Sequence, residues 1–346
     1  MLSARMYGIN DLRMEEVPVP EICPDELLVE VKAAAVCGTD VRIFQNGAAN
    51  ISPETPLILG HEIAGVICAV GKHVTAYRAG QRVAIAPNFG CGVCGACVSG
   101  NGQLCAEYQA LGIHIAGGFA EYVRVPAKAV ASGNVTPIPD GVSFRAAAVN
   151  EPLSCAFNGS ERCRIRPGDT VVIIGAGPIG VMHAMLAQMA GAGCVIVNDL
   201  SADRLAACRR VSSRFVTVQS DIKEAVRDIT SGNGADVCIT ACPAPAAQSL
   251  ALELCGLNAR VNFFGGVPAG KQPVALNTNL IHYKQLLVSG TTRSSLTQFR
   301  RTLGLIEAGL LNVDALVTDT YTLEQTPEAF SNAARAKGLK HVICKD

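Results

Sequence analysis

From Thr170 to Asn198 the sequence carries no Asp, Glu, Lys or Arg, a length that could cross a bilayer. Its punctuation points elsewhere. Glycines at 175, 177, 180, 191 and 193, with Pro178, cut the stretch into a β-branched run, a turn, a helix-length segment and a second β-branched run. A strand covered on both faces in a parallel sheet also reads as uniformly apolar. The expectation is therefore strand, turn, helix and strand, with no membrane span.

The turn is GAGPIG, with Gly175, Gly177 and Gly180 in GxGxxG spacing around Pro178 and Ile179. In such a turn the first glycine allows the tight bend and the second lets backbone approach a pyrophosphate. The third lets helix and strand pack closely, and the helix N-terminus attracts the phosphates. Asp199 follows the second strand, where a carboxylate accepts hydrogen bonds from an adenosine ribose and repels a 2′-phosphate. The pattern predicts NAD in preference to NADP. The bland alternative is a packed turn in which Asp199 merely caps the next helix.

Val171–Ile174, Val195–Asn198, Val237–Thr240 and Val261–Phe264 are separated by helix-length segments, with Leu286–Ser289 as a further strand; this is the alternation of a doubly wound parallel sheet. The first third differs. Its short apolar runs, Leu27–Val31, Ile63–Val70 and Arg82–Ala86, lie among Gly, Pro and Asn and favour β structure with irregular loops. After Ser294 a helical pattern at Phe299, Leu303 and Ile306 precedes short strands expected to return to the first domain. These readings divide the 346 residues into domains at 1–152 and 153–292, with 293–346 as the return.

Lys plus Arg balance Asp plus Glu at 29 each, so no general field favours nucleic acid or an anionic membrane. The start, MLSARMYGIN, lacks the pattern of a secretory signal, and a cytoplasmic location is expected. The fifteen Cys should then stay reduced. Four of them, Cys91, Cys94, Cys97 and Cys105, form CxxCxxCx7C in a Gly-rich loop, a spacing suited to a closed tetrahedral zinc site. Disulfides and an iron–sulfur cluster are the alternatives.

Four more candidates are dispersed: Cys37 in CGTD, His61 and Glu62 in GHE, and Glu151 in NEPLS. Taken singly, they read as a buried thiol, a satisfied loop histidine and, for Glu151, a helix-start acid ahead of Pro152. Taken in order, CGTD, GHE, the four-Cys loop, GGFAEYV, EPL and GAGPIG resemble the zinc-containing medium-chain alcohol dehydrogenase family. EPLSCAFNG and NDLSADR are similar to the sorbitol and polyol dehydrogenase branch, with threonine 3-dehydrogenase a close relative.

That resemblance implies an α/β protein: a GroES-like, mainly β catalytic domain plus a doubly wound Rossmann domain, with the active site in the cleft between them. It implies Cys37 and His61 as catalytic zinc ligands, with Glu62 or Glu151 supplying a carboxylate. Thr39 would be the hydroxyl at the substrate oxygen. Many members carry a histidine relay where this chain has Arg42, and a guanidinium cannot take up that proton. The resemblance also places Phe264, Gly265, Gly266, Thr291, Thr292 and Arg293 around the nicotinamide and Arg204 near the adenosine ribose. A homotetramer or dimer is implied.

The expected reaction moves a hydride from a secondary alcohol of a polyol to NAD, giving a ketose. A carboxylate donor leaves zinc able to take a second hydroxyl from a vicinal diol, and Arg293 suits a further hydroxyl or a phosphate. Threonine 3-dehydrogenase and a sugar-alcohol-phosphate dehydrogenase are the enzyme alternatives. An NAD-binding sensor that has lost catalysis is the alternative of another class.

Overall fold

The apolar run beginning at Leu27 becomes the strand Leu27–Ala35, central to a seven-stranded sheet in the computed structural model, which describes residues 1–345. Period-two alternation puts Glu30 and Lys32 on one face of this strand, where they pair at 3.0 Å. Along the sheet the order is Val135–Pro137, Arg82–Ile85, Glu62–Val70, Leu27–Ala35, Lys340–Cys344 and Val317–Tyr321, with Tyr122–Val125 also pairing Leu27–Ala35. The last two strands of the chain thus complete a sheet begun by its first third. Ala35 stands opposite Glu62 on one side and Val342 on the other. Met6, Ile63, Ile67, Ile85 and Phe119 fill the core, where Phe330 meets Phe119 edge-on at 5.4 Å between ring centroids. This unit comprises Met1–Ser154 and the chain from Ser294 onward.

Cys155–Arg293 forms the second unit. Its sheet has six strands in the order Val216–Val218, Cys194–Asn198, Thr170–Ile174, Ala235–Thr240, Cys255–Phe263 and Leu287–Gly290, and all its pairings are parallel. Chain order reverses beside Thr170–Ile174, so the unit's first and fourth strands, Thr170–Ile174 and Ala235–Thr240, flank a crevice at their carboxyl ends. Two details differ from the sequence reading. Val216–Val218 is a three-residue edge strand, too short for a period-two signal. The strand expected from Val261 begins at Cys255, with a register shift after Ala235 where the solvent-facing residues Leu257 and Asn258 join it.

The charge-free stretch resolves into Thr170–Ile174, the helix Pro178–Met189 and Cys194–Asn198. Pro178 opens that helix, where its missing N–H costs nothing. Among the described residues no helix is long and apolar enough to cross a membrane. The helix Phe144–Cys163 carries Pro152 in its interior. Glu151 therefore sits mid-helix, which overturns the reading of it as a helix-start acid: the helix had already begun at Phe144, about two turns earlier.

Candidate metal centres and nucleotide site

Cys37 ends the chain's exit from Leu27–Ala35 and caps the helix Gly38–Asn46 in extended conformation. Its backbone N–H donates to Asp40 Oδ2 at 2.9 Å. The other oxygen of this fully buried carboxylate, Oδ1, faces His61 Nδ1 at 3.3 Å, without hydrogen-bond alignment. Asp40 thus lies between the Cys37 backbone and the His61 ring. Burial alone would depress the imidazole pKa, but Asp40 and Cys37 raise it well above the ordinary value.

Gly60 delivers His61 to this place. Its φ is +93°, and a Cβ there would lie 2.9 Å from the Phe119 ring, so no side chain fits the turn. Glu62 then begins the next strand. Ligand atoms of Cys37, His61 and Glu62 all lie within 4.8 Å of one another. Glu151, buried on its helix, is not one of this group.

A thiol, an imidazole and a carboxylate match the donor types of a catalytic zinc, which keeps a further position open. Asp40 turned towards Nδ1 leaves Nε2 as the ring nitrogen for a metal, the carboxylate–histidine arrangement that fixes the tautomer of such ligands. Glu62 has a partner that the sequence did not signal. Lys340, buried at the head of the C-terminal strand, donates to both Glu62 oxygens, at 2.7 and 2.6 Å. Asp40 was equally unremarked as a site residue, although CGTD contains it.

The second cluster is local. Sγ atoms of Cys91, Cys94, Cys97 and Cys105 lie within 4.8 Å of one another, with Cys91 and Cys97 at 4.0 Å. That separation is about twice a disulfide bond and close to the ~3.8 Å edge of a tetrahedron built on Zn–S bonds of about 2.3 Å. All fifteen cysteines are free. Backbone N–H groups of Val93 and Cys94 hold the Cys91 thiol down at about 6, which favours the thiolate a metal requires.

In the second unit, a Cβ on Gly180 would lie 1.8 Å from the Gly175 carbonyl oxygen, whereas one on Gly177 would meet nothing within 4 Å. The third glycine of the motif serves packing and the second leaves an open approach. Pro178 and Ile179 form the helix start beyond it. Asp199 Oδ2 accepts from the Ala176 N–H at 2.7 Å and Oδ1 from the Ser201 N–H at 2.8 Å, with Arg204 Nη1 at 3.9 Å. The carboxylate therefore braces the glycine turn. Phe264, Gly265 and Gly266 follow the strand Cys255–Phe263. Thr291, Thr292 and Arg293 follow Leu287–Gly290; Thr291 donates to Asn262 Oδ1 at 3.2 Å, and the Thr292 and Arg293 carbonyls accept from Asn158 Nδ2.

Comparison with known proteins matches residues 23–140 to the alcohol dehydrogenase GroES-like domain and residues 178–308 to the zinc-binding dehydrogenase family. The chain is 34% identical to a sorbitol dehydrogenase of Bacillus subtilis, over 97% of this chain and 94% of that one. It is 35% identical to an L-threonine 3-dehydrogenase of Pyrococcus furiosus, over 99% of both. Among solved structures, a zinc-binding dehydrogenase of Sinorhizobium meliloti 1021 bound to NADP superposes with a TM-score of 0.90 at 30% identity, covering 99% of each chain.

Proposed function

This chain belongs to the zinc-dependent medium-chain alcohol dehydrogenase family, and from that premise we propose that it oxidises a secondary alcohol of a polyol to a ketose with NAD. The observation that carries the reading is the group Cys37, His61 and Glu62, gathered within 4.8 Å in a chain that also holds the glycine turn and Asp199. When bound, zinc supplies Lewis acidity towards a hydroxyl oxygen and NAD supplies the hydride acceptor. Cys37, His61 and Glu62 would hold the zinc, and Cys91, Cys94, Cys97 and Cys105 a structural one.

The chain's own residues do the rest. Asp40 Oδ1 faces the His61 ring at 3.3 Å and favours its charged form. Lys340 donates to both oxygens of Glu62 and opposes the rise in pKa that burial imposes on that carboxyl group. Thr39, half-buried in the first turn of Gly38–Asn46, is the hydroxyl that relays the substrate proton, accepting it while passing its own proton to water. Arg42 is exposed on the same helix, and a guanidinium, which has donors and no acceptor, takes no part in that transfer.

Support for a polyol comes from the carboxylate among the donors, which suits a substrate offering neighbouring hydroxyls, and from the similarity to sorbitol dehydrogenase. The similarity to L-threonine 3-dehydrogenases favours threonine as the second reading. Steady-state rates with NAD on sorbitol, xylitol, galactitol, threitol, galactitol 1-phosphate and threonine test both. Higher kcat/KM on a polyol than on threonine is expected. A preference for threonine would replace the first reading by the second.

A further inference from the structure

His183 lies three residues beyond Gly180 in the helix Pro178–Met189 and is fully buried. Its Nδ1 lies 3.2 Å from Ser160 Oγ on the helix Phe144–Cys163, while Nε2 has no hydrogen-bond partner. Burial pushes the imidazole pKa down to about 3, so the ring is neutral. An unmatched buried nitrogen is destabilising, and a leucine of similar size would avoid it. Folding alone does not explain this choice of side chain.

The ring also packs on the loop after Cys255–Phe263. His183 meets the Phe264 ring edge-on, with centroids 4.9 Å apart and planes at 79°. Gly159 closes the stack: a Cβ there would stand 2.8 Å from His183 Cε1 and 3.1 Å from Phe264 Cδ2. The next loop residue, Gly265, donates its N–H to the Thr240 carbonyl at 2.8 Å, at the end of the neighbouring strand. His183 is therefore the side chain through which the glycine-turn helix and the helix Phe144–Cys163 hold Phe264.

Sheet order shows what this loop would touch. Asp199 follows Cys194–Asn198 on one side of Thr170–Ile174, and Ala235–Thr240 and Cys255–Phe263 lie on the other. A dinucleotide crosses such a sheet at the reversal of strand order, with its pyrophosphate on the glycine turn. With the adenosine ribose at Asp199, the nicotinamide half has to run over the carboxyl ends of the strands that lead into Cys242 and Phe264.

We propose that His183 is a positioning residue for the nicotinamide half of the cofactor, acting through the Gly159–His183–Phe264 stack; this rests on the dinucleotide reading above. The test compares two ligands on the zinc-loaded full chain: NADH, and ADP-ribose, which lacks only the nicotinamide. Calorimetric affinities and thermal midpoints are measured for wild type, His183→Leu and Phe264→Leu, the last removing the same stack from the loop side. In His183→Leu, NADH should weaken about tenfold while ADP-ribose stays within about twofold, with no loss in thermal midpoint. Should His183→Leu not fold, the same selective loss is expected of Phe264→Leu. Equal weakening of both ligands, or unchanged NADH affinity in a folded variant, overturns the proposal. A wild-type chain that binds no ADP-ribose overturns the dinucleotide reading instead.

Discussion

Lys340 Nζ and the Glu62 carboxylate form a buried ion pair at 2.6 Å, across the end of the strand Leu27–Ala35 that separates their own two strands. Lys340 also donates to the Val36 carbonyl at 2.8 Å. Burial pulls the ammonium pKa down, but Glu62, Cys37 and Asp40 outweigh it, and the net direction is upward. On the Glu62 side burial raises the carboxyl pKa and Lys340 opposes that rise, and the ion pair links the last strand of the chain to the site.

Lys340→Met should accordingly cost about 3–5 kcal/mol in denaturant unfolding of zinc-depleted protein, the usual result of leaving a buried charge alone. Adding Glu62→Gln should recover part of that loss, since the orphaned charge is removed. Saturating zinc should also narrow the deficit, because a cation can take the place of the ammonium. If the single variant matched wild type without zinc, the ion pair would contribute nothing to the fold.

The neutral His183 carries a pH signature. Its folded pKa of about 3 lies below the ~6.5 of an unfolded histidine, so between these values the unfolded chain binds a proton that the folded chain refuses. Stability from this group is intact above about pH 6.5 and falls as pH drops towards 3, by up to about 1.4 kcal/mol per pH unit. Urea midpoints from pH 7 to about pH 4.5 should drop less steeply for His183→Leu than for wild type. Parallel curves would mean that the imidazole is already protonated when folded.

Asp199 braces the turn through its bonds to the Ala176 and Ser201 N–H groups, and the proposed function gives it the choice of cofactor as well. Asp199→Ser should raise the ratio of NADP to NAD efficiency by about tenfold or more, the weight of a lost charge-assisted hydrogen bond and a lost repulsion. It should also lower thermal stability slightly. An unchanged ratio would defeat the assignment of NAD preference to this carboxylate.

For the four-Cys loop the readout is metal content. Wild type should hold about two zinc per chain and Cys97→Ser about one, with the loop becoming a site of proteolysis once its anchor is gone. Full zinc content in the variant would exclude these thiols as a metal site.

Proton transfer separates Thr39 from Arg42. Thr39→Val should lower kcat for alcohol oxidation by about a hundredfold, the scale of a lost general acid–base group, and Arg42→Ala should stay within about twofold. Matching losses would show that the exposed guanidinium, and not the hydroxyl alone, serves the chemical step.

What the amino-acid order alone determined is local in character. The unbroken apolar stretch with its glycine spacing dictates strand, turn, helix and strand, because period and punctuation act within a few residues of one another. The four cysteines are legible for the same reason: fifteen residues of Gly-rich chain leave their sulfurs little freedom to separate. Only the tertiary structure decided the meeting of Cys37 with His61 and Glu62, the grip of Lys340 on a carboxylate 278 residues away, and the packing of His183 against Phe264. These contacts depend on which strands become neighbours, and strand order is set by the summed burial of whole sheets, so no short window of sequence contains it.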